Sequence, residues 1–310
     1  MFTGLNASNN QFVTSVDNLQ AQLNTEENEL STGLRVNQAS DAPGQVGDIF
    51  EARANLSSVN QTIQNLNAVQ AQVNAGDTSV QSAVQLLQNA ATLGAQGASS
   101  TVSQSQLNSL ATQVQGVLSQ LVGLSATQVN GVYIFGGDAS GSPPYQLDPT
   151  SSTGVDQLTT AGATSQIADP TGITFQTSLT AQQVFDAQDS LGNPTSQNAF
   201  AAVNSLQLAL QSGNQAGIST ALDSLQSAGD YLNQQLGFYG AAENRVTSAI
   251  DLAQKFQVGD QTQLSNLQDT NAAAVAVQVT QDTTSLDAAM AAQAKKPTTT
   301  LFDYLPITNG

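Results

Sequence analysis

The chain is 310 residues long and carries 6 Lys and Arg against 23 Asp and Glu, a net charge of −17 in which only 9% of residues are charged. Neither Lys nor Arg occurs between Ala54 and Glu243, so the clustered cations that release counterions from phosphates are missing, and nucleic acid and anionic membrane surfaces are excluded as partners. With no His, Cys or Trp, the commonest metal ligand, the thiolate nucleophile and the usual neutral-pH base are absent. The chain therefore reads as a non-enzyme that needs neither metal nor other cofactor.

The first 30 residues contain no cation and no apolar run of signal-peptide length, and no 18 consecutive apolar residues occur anywhere. A cleaved secretory signal and a membrane span are thus not expected. The N-terminus carries one apolar line, Phe12, Val16, Leu19, Leu23 and Leu30, on a helix otherwise rich in Asn, Gln and Ser. No neighbouring sequence covers that line. From Ile49 the apolar positions Ala52, Leu56, Val59, Ile63 and Leu66 follow in steps of three and four, and the seam continues through Val73, Val80, Val84 and Leu87. Asp41-Ala42-Pro43-Gly44 opens it, an Asp that can accept from free amides followed by a Pro suited to a first turn, and it fades near Gly94 and Gly97. At about 1.5 Å per residue such a helix is a rod of roughly 75 Å, and its narrow seam demands a covering helix.

A second helix is opened by Ser103-x-x-Gln106, a capping-box pattern, and continues through Leu107, Leu110, Val114, Val117, Leu121 and Leu124. From Val132 to Pro194 the composition shifts to Gly, Pro, Ser and Thr with short apolar runs, entered through the turn dipeptide Asn130-Gly131 and left through a short helix that Thr180-x-x-Gln183 can cap. Asp138, Asp148, Asp156 and Asp169 of this stretch lack the one-three-five spacing of a calcium loop and sit beside Gly and Pro, as turn residues do. Two further seams follow: Ile218, Leu222, Leu225, Gly229, Leu232, Leu236 and Tyr239 continuing to Val246, Ile250 and Ala253, then a less regular line with Val275, Val279, Leu286 and Met290. Leu301, Phe302 and Leu305 place three large apolar groups near the end.

These patterns predict a mainly α fold, an elongated antiparallel helical bundle or coiled coil formed by both chain ends, with a small β-rich insertion. The divisions expected are an N-terminal assembly helix over 1–40, a discontinuous helical rod over 41–131 and 198–262, a surface insertion over 132–197, and a C-terminal assembly helix and tail over 263–310. Polar, ion-pair-poor outer faces leave the terminal helices dependent on packing, so both ends are expected to fray in a monomer and to order against neighbouring copies.

Leu30-Ser31-Thr32-Gly33-Leu34-Arg35-Val36-Asn37-Gln38-Ala39-Ser40-Asp41-Ala42-Pro43-Gly44, followed by the long heptad helix, resembles the N-terminal signature of the bacterial flagellin superfamily. Gly240-Ala241-Ala242-Glu243-Asn244-Arg245-Val246 looks like the corresponding turn in the C-terminal half. The resemblance covers roughly residues 1 to 137 and 198 to 305. Within the superfamily, Asn130 to Gly137 and Leu301 to Leu305 look more like the members at the hook–filament junction than like filament flagellins, although Ala291-Ala292-Gln293-Ala294 also looks like a filament flagellin end. A single acid, Asp41, stands where a pair is common.

The resemblance implies a structural subunit exported unfolded through the flagellum's type III channel and added beyond the hook. Its partners would be its own copies, neighbouring flagellar axial proteins (hook-associated proteins and flagellin) and a cytoplasmic export chaperone, and its place the extracellular flagellum. Filament flagellin is the alternative, and a secreted coiled-coil adhesin or tip protein the alternative of another class. The expected assembly interface comprises Phe12, Val16, Leu19, Leu23, Leu30, Arg35, Asn37, Asp41, Asn244, Arg245, Val275, Val279, Leu286, Met290, Leu301, Phe302 and Leu305. Arg35 and Arg53 read most simply as solvated charges, the alternative being that in so cation-poor a chain they meet acids of adjacent copies.

Overall fold

The computed structural model describes residues 3–295, with side chains from residue 9 onward. These residues form seven helices: α1 (Thr3–Thr32), α2 (Val46–Gly97), α3 (Gln104–Ser125), α4 (Ala181–Phe185), α5 (Ala199–Ser212), α6 (Gln215–Gln268) and α7 (Ala272–Ala294). Six short strands pair as three antiparallel hairpins: β1 (Gln128–Val129) with β2 (Val132–Tyr133), β3 (Tyr145–Leu147) with β4 (Val155–Gln157), and β5 (Gln166–Ala168) with β6 (Thr174–Gln176). The mainly α fold with a small β-rich insertion is present. No described helix is long and apolar enough to cross a membrane.

Local chemistry sets the element ends. Ser103 accepts from the Gln106 amide while the Gln106 side chain accepts from the Ser103 amide, so the expected capping box opens α3; Thr180 and Gln183 repeat the arrangement on α4. Asn130 and Gly131 both have positive φ, 54° and 80°, the geometry that a two-residue turn between β1 and β2 requires. Two expectations are corrected. Asp41 does not cap α2: its Oδ2 accepts from the upstream amides of Asn37 and Gln38 at 2.9 and 2.7 Å, and the helix begins only at Val46. Gly240–Val246 is not a turn but lies inside α6, whose seam runs on unbroken through the buried Tyr239, Ala242, Val246 and Ala249.

The chain divides into two compact units, the described parts of 1–57 with 258–310, and 58–257. In the second unit, α3 and α5 lie side by side, and the seams of α2, α3, α5 and α6 meet in one core that includes Leu66, Val80, Leu121, Leu206 and Leu232. The insertion shares this core. Phe135, Tyr145, Phe175 and Phe185 are buried in it, with Phe135 edge-on to Phe185 at 5.3 Å and to Tyr239 at 6.3 Å. Few aromatics occur in the chain, and the fully buried ones, Phe135, Phe185, Phe200 and Tyr239, gather where the insertion meets the helices, since rings bury the most area per residue.

In the first unit, α1 and α7 pack antiparallel: Gln293 Nε2 donates to Asn9 Oδ1 at 3.4 Å near one end, and Thr270 Oγ1 to Glu29 Oε2 at 3.0 Å near the other. The terminal helices, expected to order only on neighbouring copies, order against each other here because each offers the other an apolar line.

Candidate assembly interface

The site begins where α1 stops. Gly33, at φ 72°, ends the helix with its amide on the Glu29 carbonyl at 2.8 Å. The chain then forms a short antiparallel bridge, Leu34 with Asp269, against the link between α6 and α7. Arg35 N donates to Gln268 O at 2.7 Å, Val36 N to the same oxygen at 3.2 Å, and Thr270 N to Gly33 O at 3.0 Å. A helix leaves its last carbonyls unpaired and its C-terminus partly negative; Arg35 answers both needs, its Nη2 donating to Leu267 O at 2.8 Å and to Gln45 Oε1 at 2.9 Å. Arg53 Nη2 donates to Oε1 of the buried Gln268 at 2.9 Å. Both Arg residues thus donate to acceptors inside the chain.

Hydrogen bonds within the loop over 33–45 extend this clasp. Asn37 Nδ2 donates to Thr32 Oγ1 and Leu34 O, each at 3.1 Å, and the two amides on Asp41 hold its carboxyl below the usual range, the Gln38 amide contributing most. Glu29, Gln45, Gln268 and Thr270 were missed by the sequence reading. Their signal was weak: uncharged or singly charged residues at helix ends, whose role appears only when two chain segments remote in sequence meet.

Beyond the clasp, the predicted apolar lines of α1 and α7 fall on the sides of the helices that meet, and they are unevenly covered. Leu23 is buried; Phe12, Val16, Leu19, Val275, Val279 and Leu286 are half-buried; Leu30 and Met290 are 43% and 54% exposed. Val13 and Val277 add further exposed apolar surface, at 53% and 58%. Leu301, Phe302 and Leu305 lie outside the described residues.

Asn244 and Arg245 belong to the second unit. Asn244 Nδ2 donates to Gly240 O at 2.9 Å along its own helix. The guanidinium of Arg245 lies 4.8 Å from the centre of the Phe175 ring on β6, so this cation pins a hairpin of the insertion to α6. Of the four Asp residues read as turn residues, Asp148 and Asp169 close turns, Asp138 ties two segments of the insertion together, and Asp156 instead lies in β4, accepting from Gln146 Nε2 at 3.2 Å across the hairpin. Asp148 accepts from the Thr150 amide and hydroxyl at 2.9 and 2.6 Å, Asp169 from those of Thr171 at 2.8 and 2.6 Å, and Asp138 from the Gly162 amide at 2.8 Å.

Residues 5–140 match the model of the bacterial flagellin N-terminal helical region. No curated protein matches the sequence. In fold, the chain is similar to a protein of Vibrio parahaemolyticus provisionally assigned as a flagellar hook-associated protein, at 14% identity, TM-score 0.63, over 74% of this chain and 100% of that one. It is similar to flagellar hook-associated protein-3 of Legionella pneumophila at 14% identity, TM-score 0.59, over 71% and 98% of the two chains. FlgL of Bacillus cereus shares 18% identity, with a TM-score of 0.53, over 71% and 100%.

Proposed function

We propose, from the match of residues 5–140 to the bacterial flagellin N-terminal helical region, that the chain is a structural subunit of the bacterial flagellum, polymerising beyond the hook as the hook–filament junction protein. The observation that carries this reading is the pairing of the two chain ends: α1 and α7 pack along their apolar lines yet leave Val13, Leu30, Val277 and Met290 outward. Exposed apolar residues on both helices of a pair give neighbouring copies a surface to cover. The clasp ties the end of α1 to the link between α6 and α7, so that the two terminal helices are presented together.

In this reading 1–40 and 263–310 are the assembly segments, 41–131 with 198–262 the rod, and 132–197 the surface insertion. Phe12, Val16, Leu19, Leu23, Leu30, Val275, Val279, Leu286 and Met290 line contacts within and between copies, Arg35, Asn37 and Asp41 shape the loop beside them, and Leu301, Phe302 and Leu305 extend the surface. Asn244 and Arg245 act on the outer side, Arg245 by holding the insertion. Burial between copies offsets the ordering cost of the segments, which couples folding to addition. The chain passes unfolded through the flagellar export channel to an extracellular position next to hook-associated proteins and flagellin. A cytoplasmic chaperone covers the apolar line from Val275 onward before export. The work is mechanical, with no catalytic step.

The choice of the junction over the filament is supported by the shared fold of the hook-associated proteins. Electron microscopy of the purified protein seeded onto isolated hooks tests it, beside a sample lacking residues 1–30. One short layer that stops, absent from the truncated sample, is the expected result. Long filaments would make the chain a flagellin, and no addition by either sample would leave the adhesin reading.

A further inference from the structure

The apolar lines of α1 and α7 each skip one position. In α1 the steps run Phe12, Val16, Leu19, Leu23 and then Leu30, and the position passed over is Glu26; in α7 they run Val275, Val279 and then Leu286, passing over Asp282. These two acids face each other in the seam, and each is 8% exposed. Gln22 Nε2 donates to Glu26 Oε1 at 3.4 Å, which leaves the buried Oε2 without a partner, and Gln278 Nε2 reaches both oxygens of Asp282 at 3.3 and 3.4 Å. Among the described residues, the charged groups that act on Glu26 are Asp282 across the seam and Glu29 one turn along, both acids. Glu29 in turn accepts from Thr270 Oγ1.

Two facing carboxylates in an apolar seam repel when both are ionised and lose hydration when buried, and among the described residues no cation acts on Glu26. One proton removes both costs, because a protonated carboxyl donates to the other and satisfies the orphan oxygen. We propose that Glu26 and Asp282 form a proton-dependent lock on the chain's terminal helices: α1 and α7 close in this register when the pair shares a proton, and loosen when both groups are ionised. A seam of plain leucines would close at any pH and tolerate other registers, whereas a single polar layer penalises every register that separates its members. Burial first, and then the Asp282 charge, hold the Glu26 carboxyl above its ordinary value, which agrees with a proton retained there. The lock needs no flagellar context, and its test reads pairing within one chain.

The absence of cysteine permits selective labelling. Spin labels on Gln20→Cys and Ser285→Cys, both exposed positions, report the α1–α7 distance in the full chain. The short-distance fraction is expected to rise at least about threefold from about pH 7.5 to about pH 5. The double variant Glu26→Gln/Asp282→Asn and the apolar pair Glu26→Leu/Asp282→Leu should both abolish that slope. Asp282→Lys should reverse it, since the new ion pair breaks as Glu26 protonates. A flat profile in the parent, or an unchanged slope in both double variants, overturns the proposal.

Discussion

The phenol of Tyr145 donates a 2.8 Å hydrogen bond to the carboxylate of Asp186, in the core where the insertion meets α5. Asp186 has no cation beside it and survives burial on donors alone: Gln188 Nε2 at 2.7 Å and Asn198 Nδ2 complete the set. Asn198 also caps α5 through its Oδ1, at 2.9 Å from the Ala201 amide, so one network joins β3, the end of α4 and the start of α5. A buried charge loses more from a missing donor than a neutral group does. Tyr145→Phe is therefore expected to destabilise the chain by about 1.5–3 kcal/mol with an unchanged denaturant slope. A chemical unfolding curve that superimposes on the parent's would refute this.

Glycine-to-alanine changes at two seam positions should act in opposite directions. At Gly76 a Cβ would collide with Cε1 of the buried Tyr239, so the ring must move and Gly76→Ala should cost about 1–3 kcal/mol. At Gly229, inside α6, a Cβ meets nothing within 4 Å, and Gly229→Ala should gain about 0.5–1 kcal/mol from backbone entropy alone. Thermal midpoints of the two variants measure both; a gain at Gly76 or a loss at Gly229 contradicts the packing described here.

Much of this architecture could be read from spacing. The seams of Val114, Val117 and Leu121, or of Leu225 and Leu232, repeat every three and four residues because one narrow stripe of each helix is buried, and period is visible without a structure. The capping boxes at Ser103 and Thr180 were equally legible, since both partners lie within four residues. What failed to show was whatever depends on remote segments: Gln268 receiving both Arg53 and the amides of Arg35 and Val36, or Arg245 lying over Phe175. Gly240 to Val246 misled for a related reason, because a resemblance in residues carries no statement of backbone direction. Glu26 and Asp282 were hidden by being polar, and the skipped step in each seam was the available signal.

The insertion should loosen in acid. The Thr150 hydroxyl on Asp148, the Thr171 hydroxyl on Asp169 and the Asn193 amide on Asp189 hold these carboxyls below their ordinary value. A carboxyl whose value is lower folded than unfolded contributes stability above the unfolded value, about 3.9, and loses it as pH falls through the folded one. Amide exchange at Gly172 and Gly192, corrected for intrinsic rates, is expected to accelerate below about pH 4 relative to the helical core. Asp169→Asn should produce part of that acceleration at neutral pH. Exchange that stays flat to low pH would remove these turns from the stability of the insertion.

Arg35 sets the last expectation, because its two roles predict different losses. If its contribution were charge alone, Arg35→Lys would be silent; the guanidinium instead reaches Leu267 O and Gln45 Oε1 from one nitrogen, at 2.8 and 2.9 Å, a geometry an ammonium on a shorter reach does not reproduce. Arg35→Lys should therefore weaken the clasp nearly as much as Arg35→Ala, by about 1–2 kcal/mol for a charge-assisted bond at a helix C-terminus. The effect should be local. Exchange should quicken at the amides of Arg35, Val36 and Thr270, which donate across the bridge, while those of α3 and α5 keep the parent's rates. On isolated hooks, the same variant should add more slowly than the parent although it folds, since α1 and the α6–α7 link are no longer tied together. Arg35→Lys with parental exchange at Thr270 and parental addition would show that the clasp holds by its backbone bridge alone.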